Sequence, residues 1–290
     1  MVGATESDRT DRTDRVAVVG DVGGHLDELR RELERLGADP DTGVLPADLT
    51  VIQVGDLIHR GPDSDGVIAF VDRLLTEQPD QWIQLVGNHE ANYLAQPAFE
   101  WPERLSWQSI QTLRQWWDDG RLQVAAAVRG RSQQDFLITH AGVTQLYWRS
   151  VLGAPHSAAE AAAALNAMIG RHDGLIFRSG QMLGSGRPRP GAGPVWAAAG
   201  TELLPGWLTW RPPFSQVHGH STLYRWQHGH FGTRREVQQR TRVDAEARHE
   251  VTMLAGGRRI IGIDPCHGAT AAPSWRSWQV PITPMPVTPA

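Results

Sequence analysis

The sequence predicts a layered α/β fold in which helices cover a sheet, and three observations carry the prediction. Short apolar runs of strand length (VAVVG, TVIQVG, WIQLVG, DFLIT, FSQVHG and RIIGI) recur along the 290-residue chain. Amphipathic helical segments follow the first two runs. Each run is followed at once by a polar residue: Asp21, Asp56, Asn88 with His89, His140, His220 and Asp264.

In chain order, VAVVG leads into Gly20-Asp21, turns on Gly23-Gly24, and enters a helix whose Leu26, Leu29, Leu33 and Leu36 recur at helical spacing with charges between them. TVIQVG stops at Asp56, and Val67 to Leu75 (VIAFVDRLL) repeats the strand–helix arrangement. Beyond WIQLVG, Trp101, Trp107, Trp116 and Trp117 are expected to pack a helical cap, with an aromatic wall for a nucleobase as the alternative. Gly184 to Pro194 (GSGRPRPGAGP) reads as a flexible basic insertion. His218 reads as a wall residue, and His228 and His230 as a solvated turn.

Open α/β sheets bind ligands at the carboxyl ends of their strands, where side chains dispersed in sequence converge in space. Two Asp, one Asn and two or three His form a mixed oxygen and nitrogen set suited to divalent first-row metals. Singly, each also has a local reading as a turn residue or a partly buried histidine. Six such positions in register after six apolar runs argue for a shared site.

Bulk properties bound the function. The net charge of -4 offers no basic surplus, so DNA or RNA is not expected as a partner. The one cysteine, Cys266, excludes an internal disulfide framework and suits a reducing compartment. No apolar run is long enough to span a bilayer, and the polar start MVGATESDRTDRTDR lacks the apolar core of a secretory signal, so the cytoplasm is expected. The expected organisation is a disordered leader over 1–15, one domain over 16–270, and a Pro-rich tail over 271–290.

GDVGGH (20–25), GDLIHRGPDS (55–64), GNHE (87–90), THAG (139–142) and GHS (219–221) stand in this order. Together they resemble the calcineurin-like metallophosphoesterases, and within them the phosphoprotein-phosphatase branch with its bacterial protein-phosphatase-like and diadenosine-tetraphosphatase-like members. The resemblance covers roughly residues 16–268. It implies a four-layer α-β-β-α sandwich with the metal site at the C-terminal ends of the strands. It further implies a metallophosphatase that uses two divalent ions, manganese or alternatively iron or zinc, to activate water against a phosphorylated small molecule, nucleotide or phosphoprotein. Asp56 would bridge the ions and Asp21 would bind the first; Asn88, His140 and His220 would bind the second. His89 would protonate the leaving oxygen, and Arg60 would hold phosphate oxygens. Arg178, in GLIFRSG, resembles a second phosphate-contacting arginine or is a surface arginine. Asp264 is expected to be structural or to support a ligand.

Two positions depart from the family blocks. Gly23 stands where a histidine ligand of the first ion is usual, and His59 stands where GDxxDRG has the aspartate that orients the catalytic histidine. His25 could swing in to supply the nitrogen, His59 could lean toward the metals, or the first site is weakly occupied. A catalytically impaired binding protein is the competing reading.

Overall fold

The computed structural model describes residues 15–130, 134–171, 174–183, 186–268 and 274–280. The strands in the first half of the chain are β1 (Arg15–Val19), β2 (Leu49–Gln53), β3 (Trp82–Leu85), β4 (Leu122–Gln123), β5 (Ala125–Arg129) and β6 (Asp135–Thr139). Those in the second half are β7 (Ser215–His218), β8 (Tyr224–Arg225), β9 (His230–Phe231), β10 (Thr241–Asp244), β11 (His249–Met253), β12 (Arg259–Gly262) and β13 (Trp278–Val280). One sheet has the order β13-β1-β2-β3-β4 and the other β10-β11-β12-β7-β6-β5, with β8-β9 as a separate ribbon.

The two sheets stack face to face. Val18, Ile52, Val54 and Leu85 from the first meet Phe136, Ile138, Val217 and Ile261 from the second. Ala17, Val19 and Val51 point the other way, into a helical layer. Burial on both faces is why these strands read as continuous apolar runs instead of alternating ones. Helices α1 (Leu26–Leu36), α2 (Ser64–Glu77), α3 (Asn88–Leu94) and α4 (Trp107–Asp118) follow the early strands. Helix α1 buries Leu29, Leu33 and Leu36 and stops at Gly37, which adopts the left-handed conformation (φ 103°) that a C-cap requires. Asp63 caps α2, accepting from the Gly66 amide at 2.8 Å. Two further helices, α5 (Gln145–Ser150) and α6 (Ala158–Asn166), come after β6, and α6 packs on β5 and β6. The result is two sheets flanked by helices, the layering expected. No helix among the described residues is long and apolar enough to cross a membrane.

Strands β1 to β4 run parallel, as do β6, β7 and β12. Their carboxyl ends meet at one rim, where His140 Nδ1 donates to Val54 O (3.0 Å) and the His220 amide donates to Asp21. Every polar residue that follows the six apolar runs lies on that rim.

The expected boundaries need correction at both ends. Arg15 opens β1 instead of closing the leader; its guanidinium pairs with Asp48 at 2.8 Å and donates to Leu36 O. Residues 1–14 lie outside the described set. The domain does not end at 270: β13 pairs antiparallel with β1, and Trp275, Ser277 and Val280 are buried. Ser277 donates through its amide and hydroxyl to buried Glu32 (2.7 and 2.6 Å), so part of the expected tail closes the edge of a sheet. Residues 281–290 lie outside the described set. The proposed insertion also differs: Ala192 is buried and the Ala141 amide donates to Pro194 O at 2.6 Å, which anchors the end of that loop. Of the cap tryptophans, Trp116 is buried with its indole donating to Asp72, Trp117 packs on Phe177, and Trp107 is exposed.

A chain ending at 270 should therefore melt at least about 5 °C lower than the full chain, since losing two buried apolar side chains costs roughly 1.5–3 kcal/mol each. Equal melting temperatures by circular dichroism would show that β13 adds nothing to the fold.

Candidate metal centre

Two loops, one after β2 and one after β3, are locked together before any ligand is considered. The Glu90 carboxylate accepts from the amides of Asp56 (2.8 Å), Leu57 (2.9 Å) and Gly87 (2.9 Å). Asp56 Oδ1 in turn accepts from the His89 amide at 2.9 Å. The loops cross so closely that a Cβ on Gly55 would collide with the Gly87 backbone. Asp56, His59 and Arg60 all adopt left-handed backbone (φ 54°, 72° and 71°), strain of the kind that persists only where surroundings over-determine it. Burial beside Asp56 pushes the Glu90 carboxyl up to about 8, against its three amide donors.

This scaffold presents Asp56 to Asn88, His140 and His220. A carbonyl accepts only from an N–H, so His140 Nδ1, 3.0 Å from Val54 O, carries the proton and its Nε2 presents a lone pair. That Nε2 lies 2.9 Å from Asn88 Oδ1 and 3.4 Å from Asp56 Oδ1. Three acceptor atoms face one another, an arrangement that repels unless a cation lies among them. His220 Nδ1 is 2.8 Å from Asn88 Oδ1, and His220 Nε2 is buried with no hydrogen-bond partner. Asp56, His140 and His220 each offer a ligand atom within 4.8 Å of one another. Burial, and then His140, hold His220 well below the ordinary histidine range, leaving it neutral. Burial opposes ionisation of Asp56, yet its polar surroundings, the His89 amide among them, outweigh it and hold the carboxyl low. The donor set fits a divalent first-row ion.

Asp21 lies on the other side of Asp56. Both its oxygens accept from the His220 amide, at 3.0 and 3.1 Å. A Cβ on Gly219 would collide with Asp21 Oδ1, which accounts for glycine there. Burial and the charges of Asp264 and Asp56 push the Asp21 carboxyl well above its usual range. Asp264, whose carboxylate accepts from the Cys266 amide at 2.7 Å, thus joins Asp21 and Asp56 in one negative field, which Arg60 opposes. Gly23 is left-handed (φ 54°), and a Cβ there would sit 3.5 Å from Arg60 Cδ, so the arginine stem lines the space beside it. His25 is not brought to the ligand group. Its Nε2 donates to Gly268 O at 3.1 Å, its Nδ1 lies 4.0 Å from Glu28, and its ring stacks on His267 at 4.6 Å.

His89 is only 3% exposed, with Nε2 at 3.8 Å from Asp56 Oδ2. Its Nδ1 lies 2.6 Å from His59 Nδ1, and His59 Nε2 lies 2.9 Å from the Tyr93 hydroxyl. His59 leans toward His89, not into the ligand group. Phe99 and Trp101 pack edge-on against His89, and Trp101 stacks on His59. Trp101 therefore belongs to the site wall and not to the helical cap. Arg60 is exposed and lies 5.4 Å from the Trp101 ring centre. Arg178 is exposed, its guanidinium 5.9 Å from the Tyr147 ring centre. His218 is buried in the wall with Nδ1 donating to Gly219 O, and His228 and His230 are exposed. Tyr93, Phe99 and Trp196, the last 5.9 Å from His220, were not singled out by sequence. Only Tyr93 carried a signal, standing four residues after His89 on one helix face.

Comparison with known proteins bears on the family and the fold. Residues 14–248 match the calcineurin-like phosphoesterase family. A symmetrical bis(5'-nucleosyl)-tetraphosphatase of Shewanella sp. is 31% identical over 133 residues, 43% of this chain and 43% of that protein. Serine/threonine-protein phosphatase 1 of Salmonella typhimurium is 38% identical over 76 residues, 26% of this chain and 29% of its own. A zinc-dependent endopolyphosphatase of Saccharomyces cerevisiae is 40% identical over 72 residues, 25% of this chain and 19% of its own. The matched stretches span less than half the length of these curated relatives. A cold-active protein-tyrosine phosphatase of a psychrophilic Shewanella shares the fold, with a TM-score of 0.52 at 16% identity over 90% of this chain and 73% of that one. Motifs, layering and the family match converge: the chain belongs to the calcineurin-like phosphoesterase family.

Proposed function

We propose that this chain is a metal-dependent phosphoesterase that hydrolyses a phosphate ester of a small molecule, nucleotide or protein. The observation that carries the reading is the convergence of buried acceptor atoms from Asp56, Asn88 and His140 beside the His220 ring, whose Nε2 has no hydrogen-bond partner. A divalent cation bound there supplies Lewis-acid polarisation of a phosphoryl oxygen and acidifies the attacking water. Asn88, His140 and His220 would hold one ion, Asp21 a second, and Asp56 would bridge them. Asn88 contributes no charge, which keeps the site attractive to a phosphate dianion. With no histidine at Gly23, the Asp21 side depends on carboxylates, and Asp264 supports it electrostatically. Manganese is the proposed ion, with iron or zinc as alternatives.

Arg60, exposed at the rim, would hold phosphate oxygens in its planar fork. His89 would protonate the leaving oxygen from Nε2, the nitrogen on the Asp56 side. Arg178 is a second phosphate-binding candidate. The proposed unit is a single domain over residues 15–280, working in the cytoplasm without nucleic acid or membrane as partner.

Removal of metal by EDTA should abolish hydrolysis of p-nitrophenyl phosphate, and Mn2+ should restore it. Asp56→Asn and His140→Ala should each lower turnover by roughly 10³-fold, the scale of losing a principal charge-stabilising group. Metal-free protein that still hydrolyses the ester would overturn the proposal.

Gly219→Ala probes the Asp21 side most directly, because its methyl group must displace that carboxylate, with Val54 Cγ2 the next atom it meets. Metal content by mass spectrometry should fall toward one ion per chain, with turnover down about 10–100-fold. Unchanged metal content would mean that Asp21 holds no ion.

A further inference from the structure

The contact between His59 and His89 joins two ring nitrogens at 2.6 Å, and such a bond requires one to donate and the other to accept. Which one donates decides whether His89 can pass a proton from its other nitrogen. If His59 donated, His89 Nδ1 would be only an acceptor, and loss of the Nε2 proton would leave an imidazolate. If His89 donates, Nδ1 keeps its proton throughout and Nε2 is free to release one and take it back. The second arrangement requires a lone pair on His59 Nδ1, which places the His59 proton on Nε2, 2.9 Å from the Tyr93 hydroxyl oxygen that can accept it.

His59 is held for this task by three neighbours. Its backbone amide donates to Ser64 Oγ at 2.8 Å, its ring stacks on Trp101 at 5.5 Å with 13° between planes, and Tyr93 meets Nε2. Its backbone is left-handed (φ 72°), and the residue is 1% exposed. Burial and the neighbouring His89 also push its pKa down to about 3, so the ring stays neutral and keeps a lone pair.

We propose that His59 and Tyr93 form a neutral brace that fixes His89 in the tautomer with Nδ1 protonated and aims its Nε2 at the Asp56 side. His59 is thus a positioning residue that takes over, without charge, an orienting task. The inference rests on His89 being the proton donor of the proposed phosphoesterase.

Nitrogen-15 long-range correlation NMR of the Zn2+-loaded full chain reads the tautomer without reference to activity. His89 Nδ1 should carry the proton in the wild type, and His59→Phe, which keeps a ring on Trp101, should shift His89 toward the other tautomer. Kinetics supply the second readout, since a nitrophenolate leaves without protonation and a serine alkoxide does not. His59→Phe should lower kcat for a phosphoserine peptide about tenfold more than for p-nitrophenyl phosphate, with KM little changed, and His59→Asp should recover the difference. Tyr93→Phe should give the same bias in weaker form, and circular dichroism melts check that each variant folds. An unprotonated Nδ1 on wild-type His89, or an equal loss on both esters, overturns the brace. Wild-type protein inert toward both esters would sink the phosphoesterase reading while the NMR result still decides the tautomer.

Discussion

Three backbone amides from two loops end on one buried carboxylate, that of Glu90, and the site depends on this clamp. It fixes the spacing between the turn that carries Asp56 and the turn that carries Asn88 and His89. The amide of His89 then fixes the Asp56 side chain itself. Each link runs from a backbone amide to a buried side-chain carboxylate, so the ligand positions are tied to the course of the main chain. That rigidity sustains left-handed backbone at Asp56, His59 and Arg60, conformations that cost about 1–3 kcal/mol each.

Around this frame the charges are arranged in opposition. Asp21, Asp56 and Asp264 bring buried negative charge to one side, and burial drives Asp21 and Asp264 toward protonation. On the other side His140 and His220 present ring nitrogens to Asn88 and Asp56. A cation bound there would relieve both strains at once, separating acceptors that otherwise face one another and neutralising carboxylates that otherwise repel. Under the proposed reading, a chain without a histidine at position 23 would still attract an ion on the Asp21 side, because the charge there is carried by carboxylates.

Much of this could be read in the sequence. Strand ends followed by Asp21, Asp56, Asn88, His140 and His220 were legible because parallel strands deliver their next residues to one rim, and the structure brings these residues together there. What escaped depended on contacts far apart in sequence or on unusual backbone. The role of Glu90 needs amides from Asp56 and Leu57, more than thirty residues away. The turn of His59 toward His89 needs its positive φ, which no periodicity announces. Trp101 lies in a loop without regular structure, so its place against His59 and His89 had no pattern to reveal it. His25 misled by proximity: two residues from Gly23 in sequence, it is tied to Gly268 near the other end of the chain. Strand β13 was hidden by the prolines around it, although Trp275 and Val280 are core residues.

The most direct measurement of the central claim is anomalous X-ray diffraction from crystals soaked in Mn2+. A strong anomalous peak is expected within the group of Asp56, Asn88, His140 and His220, with a second between Asp56 and Asp21. A map with no peak within the Asp56, Asn88, His140 and His220 group, from protein that still hydrolyses phosphate esters, would contradict it.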